Sequence, residues 1–212
     1  MSNNTIAGID VSHFQGSVNW PAVKAAGTNF AFAKASDGNT YTDPQFANNW
    51  RGMQAAGILR GAYHFYESKD DPQTQAQQFL KVLGQLGSND LPPVVDIESS
   101  TGSFGTQSLA NNLQIWLDTV EQSLQRTPII YTNCGFWNAN VLTNPTTQFS
   151  RYPLWIAQYG VTQPKIPNGW SRWTFWQSSE SGSVAGITGA VDTDIFAGTM
   201  ADLQALIAAS RH

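Results

Sequence analysis

Short apolar runs alternate with amphipathic stretches through the first two thirds of this chain, in the order strand, helix, strand. Strands are predicted at 6–12, 30–35, 58–66, 91–98 and 128–133, where β-branched and aromatic residues cluster between turn formers. Between them lie helical patterns. The first is capped by Asn19 and stopped by Gly27, and the second, 44–56, ends at Gly57. The third, 71–87, gathers Ala76, Phe79, Leu80, Leu83 and Leu86 on one face. The fourth follows a Gly, Ser and Thr-rich loop at 99–106 and runs to about 125, with Leu109, Leu113, Trp116, Leu117, Val120 and Leu124 on one side.

After residue 133 the rhythm changes. A short helical turn at 136–142 is followed by three strand candidates, 153–159, 172–177 and 190–196, with little or no helix between them; a helix at 201–209 closes the chain. Eight strands, the first five alternating with helices, predict an α/β fold: an irregular (β/α) TIM-like barrel whose last three strands largely lack helices. Neither a periodic repeat nor a low-complexity linker divides the sequence, so residues 1–212 are expected to form a single domain with its core at about 6–210.

One predicted strand is chemically unusual. Leu91-Pro-Pro-Val-Val-Asp96-Ile-Glu98 begins as a buried strand and ends in two carboxylates one residue apart. Positions i and i+2 of a strand share a face, so Asp96 and Glu98 should project together. Two acids buried side by side push at least one pKa upward, which keeps a carboxylic acid protonated beside an ionised partner. An arbitrary D-x-E would more simply be a solvated or helix-capping pair. Here, however, polar residues recur at the ends of the other strands: Asp10, Lys34, Tyr63 with His64, Tyr131 with Asn133, Gln158 with Tyr159, Gln177 and Asp192. In a parallel barrel the C-terminal rim of the strands is where active sites lie.

Composition narrows the chemistry. A net charge of -4 argues against a nucleic-acid-binding surface. With 12% aromatic and only 12% charged residues, the chain is too apolar to be disordered, and a rim of acids and rings suits a sugar chain. Cys134 is the single cysteine, so no internal disulfide forms and a packed thiol is expected. No apolar run reaches transmembrane length, and the polar start Met1-Ser-Asn-Asn-Thr shows no export signal. His13 and His64 lack metal-ligand spacing; neither metal nor cofactor is expected.

Seven segments in order, Gly8-Ile-Asp10-Val-Ser-His-Phe-Gln-Gly16, Gly61-Ala-Tyr-His-Phe-Tyr66, Pro93-Val-Val-Asp-Ile-Glu98, Ile130-Tyr-Thr-Asn133, Leu154-Trp-Ile-Ala-Gln-Tyr159, Phe175-Trp-Gln177 and Val191-Asp-Thr-Asp-Ile-Phe196, resemble the signature of glycoside hydrolase family 25, the Chalaropsis-type lysozymes also found as phage endolysins. The resemblance spans nearly the whole chain. It implies an N-acetylmuramidase that hydrolyses the β-1,4 bond between N-acetylmuramic acid and N-acetylglucosamine in bacterial peptidoglycan. By motif, Glu98 corresponds to the general acid, Asp96 to its partner carboxylate, and Asp10 and Asp192 to the outer acids. The family's retaining mechanism leaves open whether Asp96 attacks directly or orients the substrate's acetamido group. No wall-binding repeat follows the barrel, so the groove itself is expected to hold the wall, by a monomer acting outside the cytoplasm after export by an unspecified route.

Other readings compete at several positions. Asp10 could pair with Lys34 to close the barrel, a structural role as well supported as a catalytic one. Asp192 is chosen over Asp194 by motif position, although both should share a face. Tyr63, Tyr131, Trp155, Tyr159, Trp176, Gln177 and Lys34 are candidate substrate contacts, against the alternative that aromatic residues in barrel strands are core. A chitin hydrolase would usually show D-x-x-D-x-E, whereas Pro93, Val94 and Val95 precede Asp96; a silent wall-binding barrel should have lost a central acid.

Overall fold

The computed structural model describes residues 5–99, 106–141 and 148–211. In chain order the elements are β1 (Ile6–Val11), α1 (Trp20–Ala25), β2 (Phe30–Asp37), β3 (Tyr41–Thr42), α2 (Phe46–Ala55), β4 (Leu59–Phe65), α3 (Pro72–Leu83), β5 (Val94–Asp96), α4 (Thr106–Leu124), β6 (Ile129–Asn133), α5 (Cys134–Asn140), β7 (Leu154–Ala157), β8 (Phe175–Gly182), β9 (Val191–Phe196) and α6 (Met200–Ala209). Most of the predicted 99–106 loop, and Leu142 at the end of the predicted helical turn, lie outside the described residues.

The sheet order β1-β9-β8-β7-β6-β5-β4-β2, with β1 also paired to β2, closes an eight-stranded barrel, as the strand count predicts. The short β3 is a ninth strand hung antiparallel on the end of β2, in a segment expected to be loop. β1, β2 and β4 to β8 run parallel around the ring, but β9 is antiparallel to both its neighbours, β1 and β8. This corrects one expectation. Asp192 is not at a C-terminal strand end: it is the second residue of β9, and the reversal of that strand brings its beginning to the same rim. A direct β8 to β9 hairpin, without a crossover helix, makes such a reversal possible.

Alternation along β2 sorts the core. Phe30 and Phe32 point into the barrel, where Phe32 stacks on Trp155 at 4.5 Å and Phe30 meets Phe175 at 5.3 Å, while Ala31, Ala33 and Ala35 pack outward with the helices. Two glycines create the room for these rings: a Cβ on Gly8 or on Gly61 would lie 2.3 Å from Phe30 or Phe32 respectively. α6 adds Leu203 and Ile207 to the same interior cluster. Near the start of β4, Arg60 reaches Asp90 through two hydrogen bonds of 2.7 and 3.2 Å. No described helix is long and apolar enough to cross a membrane.

Candidate active site

Pro92 and Pro93 lead into a strand that hydrogen bonding defines only as far as Asp96. Glu98 therefore lies beyond β5, not inside it. Its backbone approach is nevertheless pinned like a strand: the Ile97 N–H donates to the Tyr131 carbonyl (2.9 Å), and the Ile97 carbonyl accepts from Thr132 Oγ1 (2.7 Å). Asp96 and Glu98 thus both line an open cleft of about 700 Å³ at the rim. Asp10, Lys34, Tyr63, Tyr131, Trp155, Tyr159, Gln177 and Asp192 line the same cleft.

Trp176 does not. Between the inward Phe175 and Gln177, it faces out of the barrel, packs with Leu154 and Ile156, and donates its Nε1 hydrogen to the Gln158 carbonyl. Several lining residues were not anticipated as contacts: Ser12, Phe14, Gln15, Phe65 and Glu180. Phe14 is the most informative of these, a large ring 83% exposed on the cleft wall. The run His13-Phe-Gln carried a signal that could have identified it, because Ser12 and Gln15 form a capping box that locks a single turn and leaves the ring outside the core.

The polar side chains are joined in a chain of contacts. Gln177 Oε1 accepts from the Tyr131 hydroxyl (2.8 Å) and the Tyr159 hydroxyl (2.6 Å), while its Nε2 donates to Asp10 Oδ2 (2.7 Å). The Tyr131 oxygen also lies 3.4 Å from Glu98 Oε2. Asp10 sits directly opposite Asp192 across the β1/β9 seam. The alternative role for Asp10, a pair with Lys34, does not form. Lys34 instead donates to Asp37 Oδ2 at 2.8 Å, with its ammonium 4.6 Å from the centre of the Phe65 ring. An acid three residues along and a ring at the end of β4 hold the cation at the wall, so Asp10 meets a neutral amide.

Asp192 and Asp194 do share a face, at different depths. Asp192 reaches the cleft; Asp194 is buried below it, where Oδ1 accepts from Trp155 Nε1 (2.9 Å) and Oδ2 has no hydrogen-bond partner.

Burial and crowding of like charges raise every acid of this group. Asp10 is held well above the ordinary aspartate range by burial, then by the charge of Asp192. Asp96 is raised likewise by burial and by Glu98, against the pull of Lys34. Glu98 is raised by burial and by Asp192, while a Tyr131 proton turned toward it and the charge of Lys34 act the other way. Asp192 is raised chiefly by burial, and Asp194 by burial and then by Asp10. Such a cluster retains protons at pH values where isolated carboxylates have lost them.

His64 is a core residue. Its Nδ1 meets Ser36 Oγ at 2.8 Å, its Nε2 meets Gln75 Oε1 at 3.2 Å, and burial lowers its pKa to about 4, leaving it neutral. His13 pairs with the buried Asp43 at 3.0 Å. Among the described residues no group of three or more His, Cys, Asp or Glu side chains is placed to hold a metal ion.

A barrel rim with paired acids, a wall of rings and one tethered cation has the chemistry of a glycosidase. The family profile described as Glycosyl hydrolases family 25 matches residues 9–187. The chain belongs to that family. This family 25 glycoside hydrolase is 37% identical over 209 residues to Lysozyme M1 of Streptomyces globisporus, covering 95% of this chain and 71% of that one. It is 30% identical over 210 residues to the N,O-diacetylmuramidase of a Chalaropsis species, covering 89% and 96%. Its fold is similar to that of a bacterial lysozyme from Streptomyces coelicolor, with a TM-score of 0.91 at 36% identity over 99% of this chain and 100% of that one. A family 25 lysozyme from Aspergillus fumigatus gives 0.86 at 34% identity over 96% and 99%.

Proposed function

We propose that this family 25 hydrolase is an N-acetylmuramidase that cleaves the β-1,4 bond between N-acetylmuramic acid and N-acetylglucosamine in bacterial peptidoglycan. The observation that carries the reading is the pairing of Asp96 and Glu98 at one cleft: burial raises Asp96 the more, against the pull of Lys34, while Glu98 is the one open enough to the cleft to reach a glycosidic oxygen. Glu98, as the acid, gives its proton to the glycosidic oxygen as the C–O bond breaks. Asp96, ionised and within the field of Lys34, stabilises the positive charge developing on the sugar ring. Glu98, now a carboxylate, takes a proton from the incoming water and is restored.

Asp10 and Asp192 set the charge of the outer cleft, and Tyr63, Tyr131 and Tyr159 offer ring edges and hydroxyls to the sugars; Trp155, expected as a contact, is 2% exposed and stacked on Phe32, so it backs the cleft from the core. Gln177 and Lys34 complete the polar wall. The chain works as a monomeric catalytic barrel outside the cytoplasm, where the wall is, with the groove as its wall contact.

The test is mass spectrometry of fragments released from purified peptidoglycan, after borohydride reduction. Fragments ending in reduced muramic acid are expected. New reduced glucosamine ends would make the enzyme a glucosaminidase, and release from chitin oligomers alone would move it to that polymer.

A further inference from the structure

A phenol has one proton, and Tyr131 has two oxygen neighbours that could take it: Gln177 Oε1 at 2.8 Å and Glu98 Oε2 at 3.4 Å. The shorter contact is a full hydrogen bond; the longer is weak at best for two oxygens. The orientation of the amide follows from its neighbours. Its nitrogen lies 2.7 Å from Asp10 Oδ2, and its oxygen faces two hydroxyl groups, Tyr131 and Tyr159. With Tyr131's proton directed mainly at Gln177, Glu98 is left with the longer and weaker share of it.

From this geometry we infer that Gln177 is a positioning residue for the hydrolysis: by engaging the Tyr131 proton across 2.8 Å it keeps that proton from being given fully to the Glu98 carboxylate at 3.4 Å, so Glu98 holds its own proton. The inference rests on the proposed role of Glu98 as the acid and specifies how the site keeps it protonated. The charged and titratable groups around Glu98 are Asp96 at the end of β5, Tyr131 on β6, Lys34 on β2, Asp192 on β9 and Tyr159 beyond β7. Of these groups, Tyr131 both donates to Gln177 and turns the same hydroxyl toward Glu98, so Gln177 and Glu98 compete for one proton.

The experiment is a double-mutant cycle with Gln177→Met and Tyr131→Phe, read by carboxyl 13C NMR titration of Glu98, assigned with Glu98→Gln, alongside the pH profile of kcat/KM on peptidoglycan. Gln177→Met frees the Tyr131 proton to turn to the carboxylate, so the Glu98 midpoint and the alkaline limb of the profile should fall by about one pH unit. In the Tyr131→Phe background the same substitution should move neither. An unshifted midpoint in Gln177→Met, or an equal shift with and without the Tyr131 hydroxyl, would overturn the inference; the second result would assign the effect to Asp10. Gln177→Asn, too short to bridge the same groups, replaces Gln177→Met if the methionine variant does not fold. If wild-type enzyme released no peptidoglycan fragments, the muramidase reading would fail while the NMR cycle still decided the role of Gln177.

Discussion

The indole Nε1 of Trp155 donates to Asp194 Oδ1 across 2.9 Å inside the barrel, and the other oxygen of that carboxylate has no hydrogen-bond partner. A buried acid with half its hydrogen-bonding capacity unmet favours its protonated form, and Asp10 and Asp192 nearby reinforce the preference. The folded protein therefore binds more protons here than the unfolded chain does. Stability contributed by such a group is complete below the ordinary value of 3.8 and is lost as pH rises through the higher folded value.

Asp194→Asn should thus stabilise the protein at neutral pH, on the order of 1–2 kcal/mol, and the gain should shrink as pH approaches 4. Urea unfolding of both proteins at pH 4, 5.5 and 7.5 checks this. A constant difference across the three would show that charge is not the cause.

Arg60 and Asp90 present the opposite case, a buried pair whose partners are satisfied. The guanidinium also donates to the Trp50 carbonyl and to Gln54 Oε1, and lies 4.0 Å from the centre of the Trp50 ring. Asp90→Asn removes the counter-charge and should cost about 3–5 kcal/mol by urea unfolding, with no change in the pH optimum, because the pair lies outside the cleft. A shifted optimum would show coupling to the active site.

Phe14 has almost no core to lose. Phe14→Ala should leave the melting temperature within a degree or two and raise KM for polymeric peptidoglycan several-fold, with kcat nearly unchanged, because a ring on the cleft wall offers its face to sugars. Thermal melts together with turbidity kinetics on cell walls test it; a large fall in melting temperature would make Phe14 a packing residue.

The barrel was legible in the sequence because its strands and helices keep separate periods, and because Gly27 and Gly57 end helices where the pattern stops. The meeting of Asp96 and Glu98 at one cleft was legible too, although β5 ends at Asp96 and the alternation reaches Glu98 only because Ile97 is pinned to Tyr131 and Thr132. Trp176 misled the reading through the same alternation: periodicity says that Trp176 and Gln177 oppose each other, but it does not say which of them faces inward. The reversal of β9 left no mark in composition, and Asp192 reached the rim from the other end of its strand. Lys34 chose Asp37, a neighbour three residues along, over Asp10 on the adjacent strand, which no sequence rule ranks. Nor could sequence show that Gln177 ties three elements together, because all its partners are distant in the chain.

Glu98 carries the central claim. The most direct measurement is the pH dependence of kcat/KM for Glu98→Gln beside wild type on peptidoglycan, with circular dichroism to confirm that both are folded. Wild type should show a bell with its maximum on the acidic side of neutrality, its alkaline limb set above the ordinary glutamate value of 4.5 by the burial of Glu98. Glu98→Gln should lose about 10²–10⁴-fold at the maximum, and the alkaline limb with it. A folded Glu98→Gln enzyme with wild-type activity and an unchanged limb would contradict the account.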